Sequence, residues 1–254
     1  METFSNIIIP AFSVLLPASI VLPILIAIIV GIVTNINRRK KYMKTEYYVS
    51  TQKPYDVMRR DDGLYGEYTI FKNLSGIEGN KKFLFNCYVP KANGETVEVD
   101  VILLCASGIV VFESKNYSGW IFGTESQKMW TQTFPNGHKE KFYNPIMQNQ
   151  SHIRELRRIF PELDGNVFQS IIVFGEHCQL KKITLTTDNH KVIKSSHVCG
   201  VIKEAAGNIL LSCENIDTIY SKLYPFTQTS EDQRNAHIAS VLNKSQGKAD
   251  RLDL

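Results

Sequence analysis

Asp100, Glu113 and Lys115 are the residues whose types and positions could do chemistry together. They fall in the stretch from Gly94 to Gly123, which reads as two apolar strands joined by a tight turn at Ala106-Ser107-Gly108. Asp100 stands at the start of the first strand, and Glu113 and Lys115 at the end of the second. If the strands pair as a hairpin, those ends lie side by side. Two carboxylates held close repel each other unless a cation sits between them, and hard oxygen ligands of this kind favour Mg²⁺ or Mn²⁺ completed by water. Such a metal lowers the pKa of a bound water and polarises a phosphoryl oxygen. Lys115 is two residues from Glu113 and points to the same face of a strand. Its ammonium would stand beside the metal, where it can orient the water or offset charge on a pentacoordinate phosphorus. Against this stands an ordinary strand-end ion pair, worth about 0–1 kcal/mol at a surface.

The elements around the hairpin must position these groups. Asp61 to Gly79 predicts a helix, with Asp61 and Asp62 as cap candidates and Leu64, Tyr68, Phe71 and Leu74 at helical spacing. Phe83 to Val89 predicts a short strand. Val97 to Cys105 and Ile109 to Glu113 are the central strands, apolar enough to be buried on both faces. Trp120 to Phe122 and Lys128 to Phe134 predict further strands. A helix starts at Pro145 and stops before Pro161, with Arg154, Arg157 and Arg158 on its exposed face; these either touch phosphates or form a solvated face. Val167 to Phe174 predicts a strand, Val192-Ile193 a short one, and Ser196 to Ala206 and Glu214 to Leu223 helices. Glu231 to Lys244 predicts a polar helix, and residues 245–254 a disordered tail. The order is that of an α/β sandwich with a mixed sheet. Trp120 and Trp130 read as sheet packing. Tyr117 shapes the turn before Gly119 or contacts a nucleotide. His138, His152, His177, His190 and His197 do not cluster by spacing and receive no role.

No charged residue occurs between Glu2 and Arg38. About 20 helical residues cross a hydrocarbon core of roughly 30 Å, so a span lies within residues 10–33. Arg38, Arg39, Lys40, Lys41 and Lys44 follow at once, which places the C-terminal side in the cytoplasm. The rival is a cleaved signal peptide leading to a secreted or surface protein, but that needs a basic n-region and a shorter apolar core. The expected organisation is a transmembrane anchor over 1–37, a basic juxtamembrane linker over 38–60, a domain over 61–180, a helical extension over 181–244 and the tail.

The whole chain of 254 residues is 43% hydrophobic and 21% charged, the balance of a globular protein with one apolar segment added. A net charge of +4 permits an anionic partner without demanding one. Five cysteines, with no CxxC among them, suit a reducing compartment and exclude a disulfide scaffold.

Gly66-Glu67, Glu98-Val99-Asp100, the run from Gly108 to Gly123 and Asn144-Pro145-Ile146-Met147-Gln148-Asn149 together resemble the NERD (nuclease-related) domain of the PD-(D/E)XK nuclease superfamily. The resemblance covers roughly Gly63 to Phe174. It implies a PD-(D/E)XK nuclease-like α/β core, a mixed sheet flanked by helices, and Mg²⁺-dependent phosphodiester cleavage, here in DNA, behind one transmembrane helix. It implies that Asp100 and Glu113 are metal carboxylates, that Glu67, an additional acid near the metal, binds it with them, and that Lys115 is the catalytic lysine and Gln148 an accessory polar group. The alternatives for Glu67 and Gln148 are an exposed helix glutamate and a helix-surface amide. Glu98, two before Asp100, reads as a solvated strand residue. A non-catalytic nuclease-like module that binds nucleic acid or a protein at the membrane remains the other reading of the same residues.

Overall fold

The computed structural model describes residues 18–229, with Asn235 and Ala239 beyond them. Apart from Asn235 and Ala239, which are helical, the polar helix expected over 231–244 lies outside the described residues, as do the tail and the start of the expected span. The chain divides into two compact units, one ending at Thr45 and the other starting at Glu46. The first is helix α1, Ala18–Tyr42, which continues through Pro23 and carries Arg39, Lys40 and Lys41 in its last turn. Among the described residues, its segment from Ser19 to Tyr42 is long and apolar enough to cross a membrane, a test that a signal sequence also passes.

The second unit begins with two short helices, α2 Glu46–Thr51 and α3 Tyr55–Arg60, where the sequence predicts a linker. Aromatic burial explains the difference. Tyr47 is fully buried, its ring 4.9 Å from Phe85 and 5.6 Å from Tyr68, and an aromatic side chain gains more from such packing than a short helix costs to form. Helix α4, Asp62–Leu74, follows; Asp61 caps it by accepting from the Leu64 N–H at 2.9 Å.

Five strands form the main sheet in the order β1 (Lys81–Pro90), β2 (Thr96–Cys105), β3 (Gly108–Lys115), β7 (Phe168–Phe174) and β9 (His190–Lys194). β1, β2 and β3 run antiparallel, while β7 is parallel to both β3 and β9. The hairpin from β2 to β3 closes as expected, with Cys105 opposite Gly108. Gly108 has φ +128°, and a side chain there would overlap the Val167 carbonyl, so the turn requires glycine. Helix α5, Pro145–Ile159, lies on one face with Leu156 in the core. Its cap, Asn144, accepts from the Ile146 N–H and donates to the carbonyls of Thr124, Glu125 and Gln127. Helices α6 (Val198–Ala205) and α7 (Cys213–Leu223) follow β9; Ile216, Ile219 and Leu223 of α7 join the same core as Leu156.

A second sheet, β6-β5-β4-β8, holds β4 (Gly119–Thr124), β5 (Met129–Thr133), β6 (Lys139–Tyr143) and β8 (Cys178–Thr184). The sequence predicts one sheet and omits β6 and β8, whose residues KEKFY and CQLKKIT are too polar to mark strands by burial. Pairing makes them strands: β6 completes a ladder with β5, and β8 lies parallel to β4. Trp130 is fully buried, stacked on Phe174 at 6.2 Å, as its reading as a packing residue requires, whereas Trp120 is 38% exposed. Gly123 lies against the Trp130 indole, which an added Cβ would overlap. Gly123→Ala is therefore expected to cost about 1–3 kcal/mol. Thermal unfolding should show a melting temperature lowered by roughly 2–12 °C, with the far-UV spectrum unchanged.

Candidate active site

The β2–β3 ladder runs out to Val101 opposite Phe112, so Asp100 and Glu113 stand one step beyond it, as cross-strand neighbours at the open end of the hairpin. Asp100 finishes the ladder itself: its Oδ2 accepts from the Ser114 N–H at 2.9 Å. Glu113 is fully buried. Lys115 Nζ lies 2.6 Å from Glu113 Oε1, and its ammonium also donates to Gln148 Oε1 at 3.3 Å. His152 Nδ1 stands 3.5 Å from Glu113 Oε2. Gln148 and His152 are four apart on α5 and so share one helix face. The structure thus brings Asp100, Glu113, Lys115 and Gln148 together.

Glu67 reaches the group from α4. It is 6% exposed, not the exposed helix glutamate of the alternative reading. The Tyr47 hydroxyl donates to its Oε2 at 3.0 Å, and the Asn86 side chain also hydrogen-bonds to it. Asn86 has φ +47° within β1, a conformation that asparagine tolerates better than most residues but that strands rarely contain. Its effect shows in the packing. Leu84 lies in the same buried cluster as Cys87 and Val89, and Ile102 in the same cluster as Val99, so the in–out alternation slips by one residue at Asn86 and Asp100. The two-residue spacing that puts Glu98 and Asp100 on one face of a regular strand does not apply across that slip. Glu98 is nevertheless half-buried and accepts from the Tyr88 hydroxyl at 2.8 Å, and its charge bears on both Glu67 and Glu113. It belongs to the carboxylate group and is not the solvated residue expected.

Electrostatics follow from packing acids together out of water. Burial, then the charge of Glu113, lifts the Asp100 carboxyl to about 7, against the pull of Lys115, the Ser114 N–H and His152. Burial raises Glu113 as well, with Lys115 opposing, and raises Glu67 far above the carboxylate range, with the charge of Asp100 adding to it. Burial alone would pull the Lys115 ammonium down; Glu113 and Asp100 reverse this and hold it charged. The result is a cationic lysine held among crowded acids whose burial opposes their ionisation.

The donor set can be tested against a metal. Both Glu113 carboxylate oxygens are buried; beyond the Lys115 ammonium at Oε1 and His152 near Oε2 they have no further partner among the described residues, which leaves lone pairs that a cation could use. No three His, Cys, Asp or Glu side chains among the described residues are close enough to hold one ion together. Mg²⁺ commonly uses one or two carboxylates with water and substrate phosphate. Asp100 and Glu113 fit that pattern, while Glu67, tied to Tyr47 and Asn86, fits the part of a neighbouring acid.

The remaining predicted residues lie elsewhere. The Tyr117 ring packs edge-on against Phe142 at 4.8 Å and Phe174 at 6.3 Å. Arg154, Arg157 and Arg158 line a separate cleft beside α5. Sequence reasoning missed Tyr47, Asn86 and His152. Only His152 left a signal, its four-residue offset from Gln148; the other two come from a segment read as linker and from a backbone angle.

An α/β fold in which one sheet end gathers acid, acid-x-lysine and a helix glutamine defines a nuclease-like module. Residues 62–175 match the family model of the nuclease-related domain, NERD. An uncharacterized protein of Bacillus anthracis is 27% identical over 183 residues, covering 72% of this chain and 84% of that protein. No solved structure is a significant match.

Proposed function

We propose that the chain is a membrane-anchored, metal-dependent nuclease that hydrolyses phosphodiester bonds in DNA, with its catalytic unit in the cytoplasm. The observation that carries this reading is the meeting of buried Glu113 with half-buried Asp100 and Lys115 at one sheet end, inside the stretch that matches the nuclease-related domain. Asp100 and Glu113 would hold Mg²⁺ or Mn²⁺. When bound, the metal supplies a water of lowered pKa and a polarised phosphoryl oxygen. Lys115, beside Glu113 and Gln148, would orient the attacking water and balance charge on the phosphorus. Gln148 holds the lysine on its other side. Glu67, beside Asp100, would be an additional acid near the metal, and Tyr117 would contact the nucleotide.

The test is incubation of the detergent-solubilised full chain with end-labelled DNA and, in parallel, RNA of the same sequence. With Mg²⁺ or Mn²⁺ the account expects shortened DNA products, and with RNA slower cutting. Cleavage of RNA alone would overturn the substrate assignment.

The ion pair of Lys115 with Glu113 favours a second reading, in which the closed pair is permanent and the module binds nucleic acid or a protein without cutting. A bound metal would stabilise the fold by mass action. A melting temperature indifferent to millimolar Mg²⁺ and Mn²⁺ would support the binding module over the enzyme.

The anchor rests on α1 and its basic end. Alkaline extraction is expected to leave the chain in the membrane fraction. Protease added to inside-out vesicles should digest the unit from Glu46 onward, and protection of that unit would reverse the orientation.

A further inference from the structure

We propose that the cleft between α5 and β9 binds a phosphate-bearing nucleotide unit, as a free nucleotide or as one residue of a strand. The cleft encloses about 800 Å³, within the usual range for a small-molecule site. It shares no lining residue with the carboxylate site, so the proposal goes beyond the cleavage reading and stands apart from it.

Its charge is strongly positive. Arg154, Arg157, Arg158 and Lys191 line it, against the single carboxylate of Asp188. Glu155, a buried residue of α5 itself, already engages Arg158 Nη1 at 2.6 Å and Arg154 Nε at 3.6 Å. Arg157 and Lys191 make no ion pair among the described residues and are both exposed. Gly165 makes room for the Arg157 guanidinium, since an added Cβ would stand 2.9 Å from its Nη2. Two uncommitted cations facing one cleft suit a phosphate, which arginine can grip with two parallel hydrogen bonds.

The rest of the lining suits a nucleobase. Phe168 and Ile153 supply apolar surface against which a flat ring can rest, and Asn166 and Asn189 supply amide edges that can both donate and accept. The inner wall includes His190, 8% exposed, whose Nε2 is held by the Gln150 side chain at 2.8 Å and whose buried Nδ1 has no hydrogen-bond partner. Glu125, whose charge reaches His190, is fully occupied by the Thr186 and Thr187 hydroxyls and N–H groups and does not neutralise the arginines.

Fluorescence polarisation tests this with the full chain in detergent, in excess chelator so that metal-dependent events at the carboxylates are silent. The probe is a short fluorescein-labelled oligodeoxynucleotide, displaced by AMP or by inorganic phosphate. Arg157→Gln with Lys191→Gln is expected to weaken binding about tenfold or more and to reduce the salt slope by about one for each phosphate left without its cation. Both residues are exposed, and an unchanged melting temperature confirms the fold. Displacement by AMP identifies the free nucleotide as occupant; displacement only by unlabelled strand identifies the strand. Binding of the double variant within about twofold of the parent overturns the proposal. So does displacement by phosphate as effective as by AMP, which would leave only a general anion site.

Discussion

Glu113→Gln is expected to reduce DNA cleavage by more than about 10³-fold and Lys115→Met by about 10²–10³-fold, the cost of losing one charged group aimed at a transition state. The larger loss falls on Glu113 because it would serve both as a ligand and as the resting partner of Lys115. The two side chains are coupled, so the double variant should be little worse than Glu113→Gln alone. Each substitution also leaves a buried charge uncompensated or alters one. Loss of activity therefore counts only where circular dichroism and gel filtration match the parent. Gln148→Ala should have a smaller effect, since its carbonyl is one of two acceptors on the lysine. Equal rates for parent and Glu113→Gln would remove Glu113 from the chemistry.

The second large effect joins pH to the metal. The Asp100 carboxyl is lifted to about 7 by burial and by Glu113, and an unfolded aspartate titrates near 3.9. Between those values the folded protein holds a proton that the unfolded chain has released, so raising the pH across the window removes stability from the metal-free protein. Burial raises Glu67 and Glu113 in the same direction. In chelator, the melting temperature is expected to fall as pH rises from about 5 to about 8. Mg²⁺ binds the deprotonated acids, so it should reverse this fall, adding little at the acid end and most at the alkaline end. Asp100→Asn removes one titrating acid and should flatten both curves. A melting temperature in chelator that climbs across the same range would contradict the buried-acid account. A magnesium increment independent of pH would place any bound metal away from Asp100 and Glu113.

The central hairpin and its charges were legible because apolar runs, a glycine turn and acids at strand ends are all local signals. Glu113, Lys115 and Asp100 meet where that pattern puts them. Gln148 was legible through the motif at Asn144-Pro145 and needed only a helix to carry it to Lys115. The second sheet was not, because β6 and β8 are strands by pairing and carry no hydrophobic pattern of their own. Tyr47 was hidden for the opposite reason: a large aromatic in a charged stretch can be solvated or buried, and only packing against Phe85 decides. Asn86 and Glu98 depend on a slip in strand alternation that one left-handed residue introduces, and period-two reasoning assumes that no such residue is there. His152 was passed over because histidines were compared with one another, not with the glutamine one helical turn before.

The hidden residues share a cause. Those that gather around Asp100 come from four elements, α2, α4, β1 and α5, and only the β2–β3 pair is local in sequence. A site assembled by long-range packing shows in the sequence as separate polar residues, each with an ordinary explanation.

The most direct test is single-turnover cleavage of an end-labelled DNA strand by the full chain, followed in Mg²⁺ and again in excess chelator. The account predicts shortened products that accumulate with Mg²⁺, cease with chelator and are absent for Glu113→Gln. Products that form equally in chelator, or an intact strand when folded protein is saturated with Mg²⁺ or Mn²⁺, would contradict it.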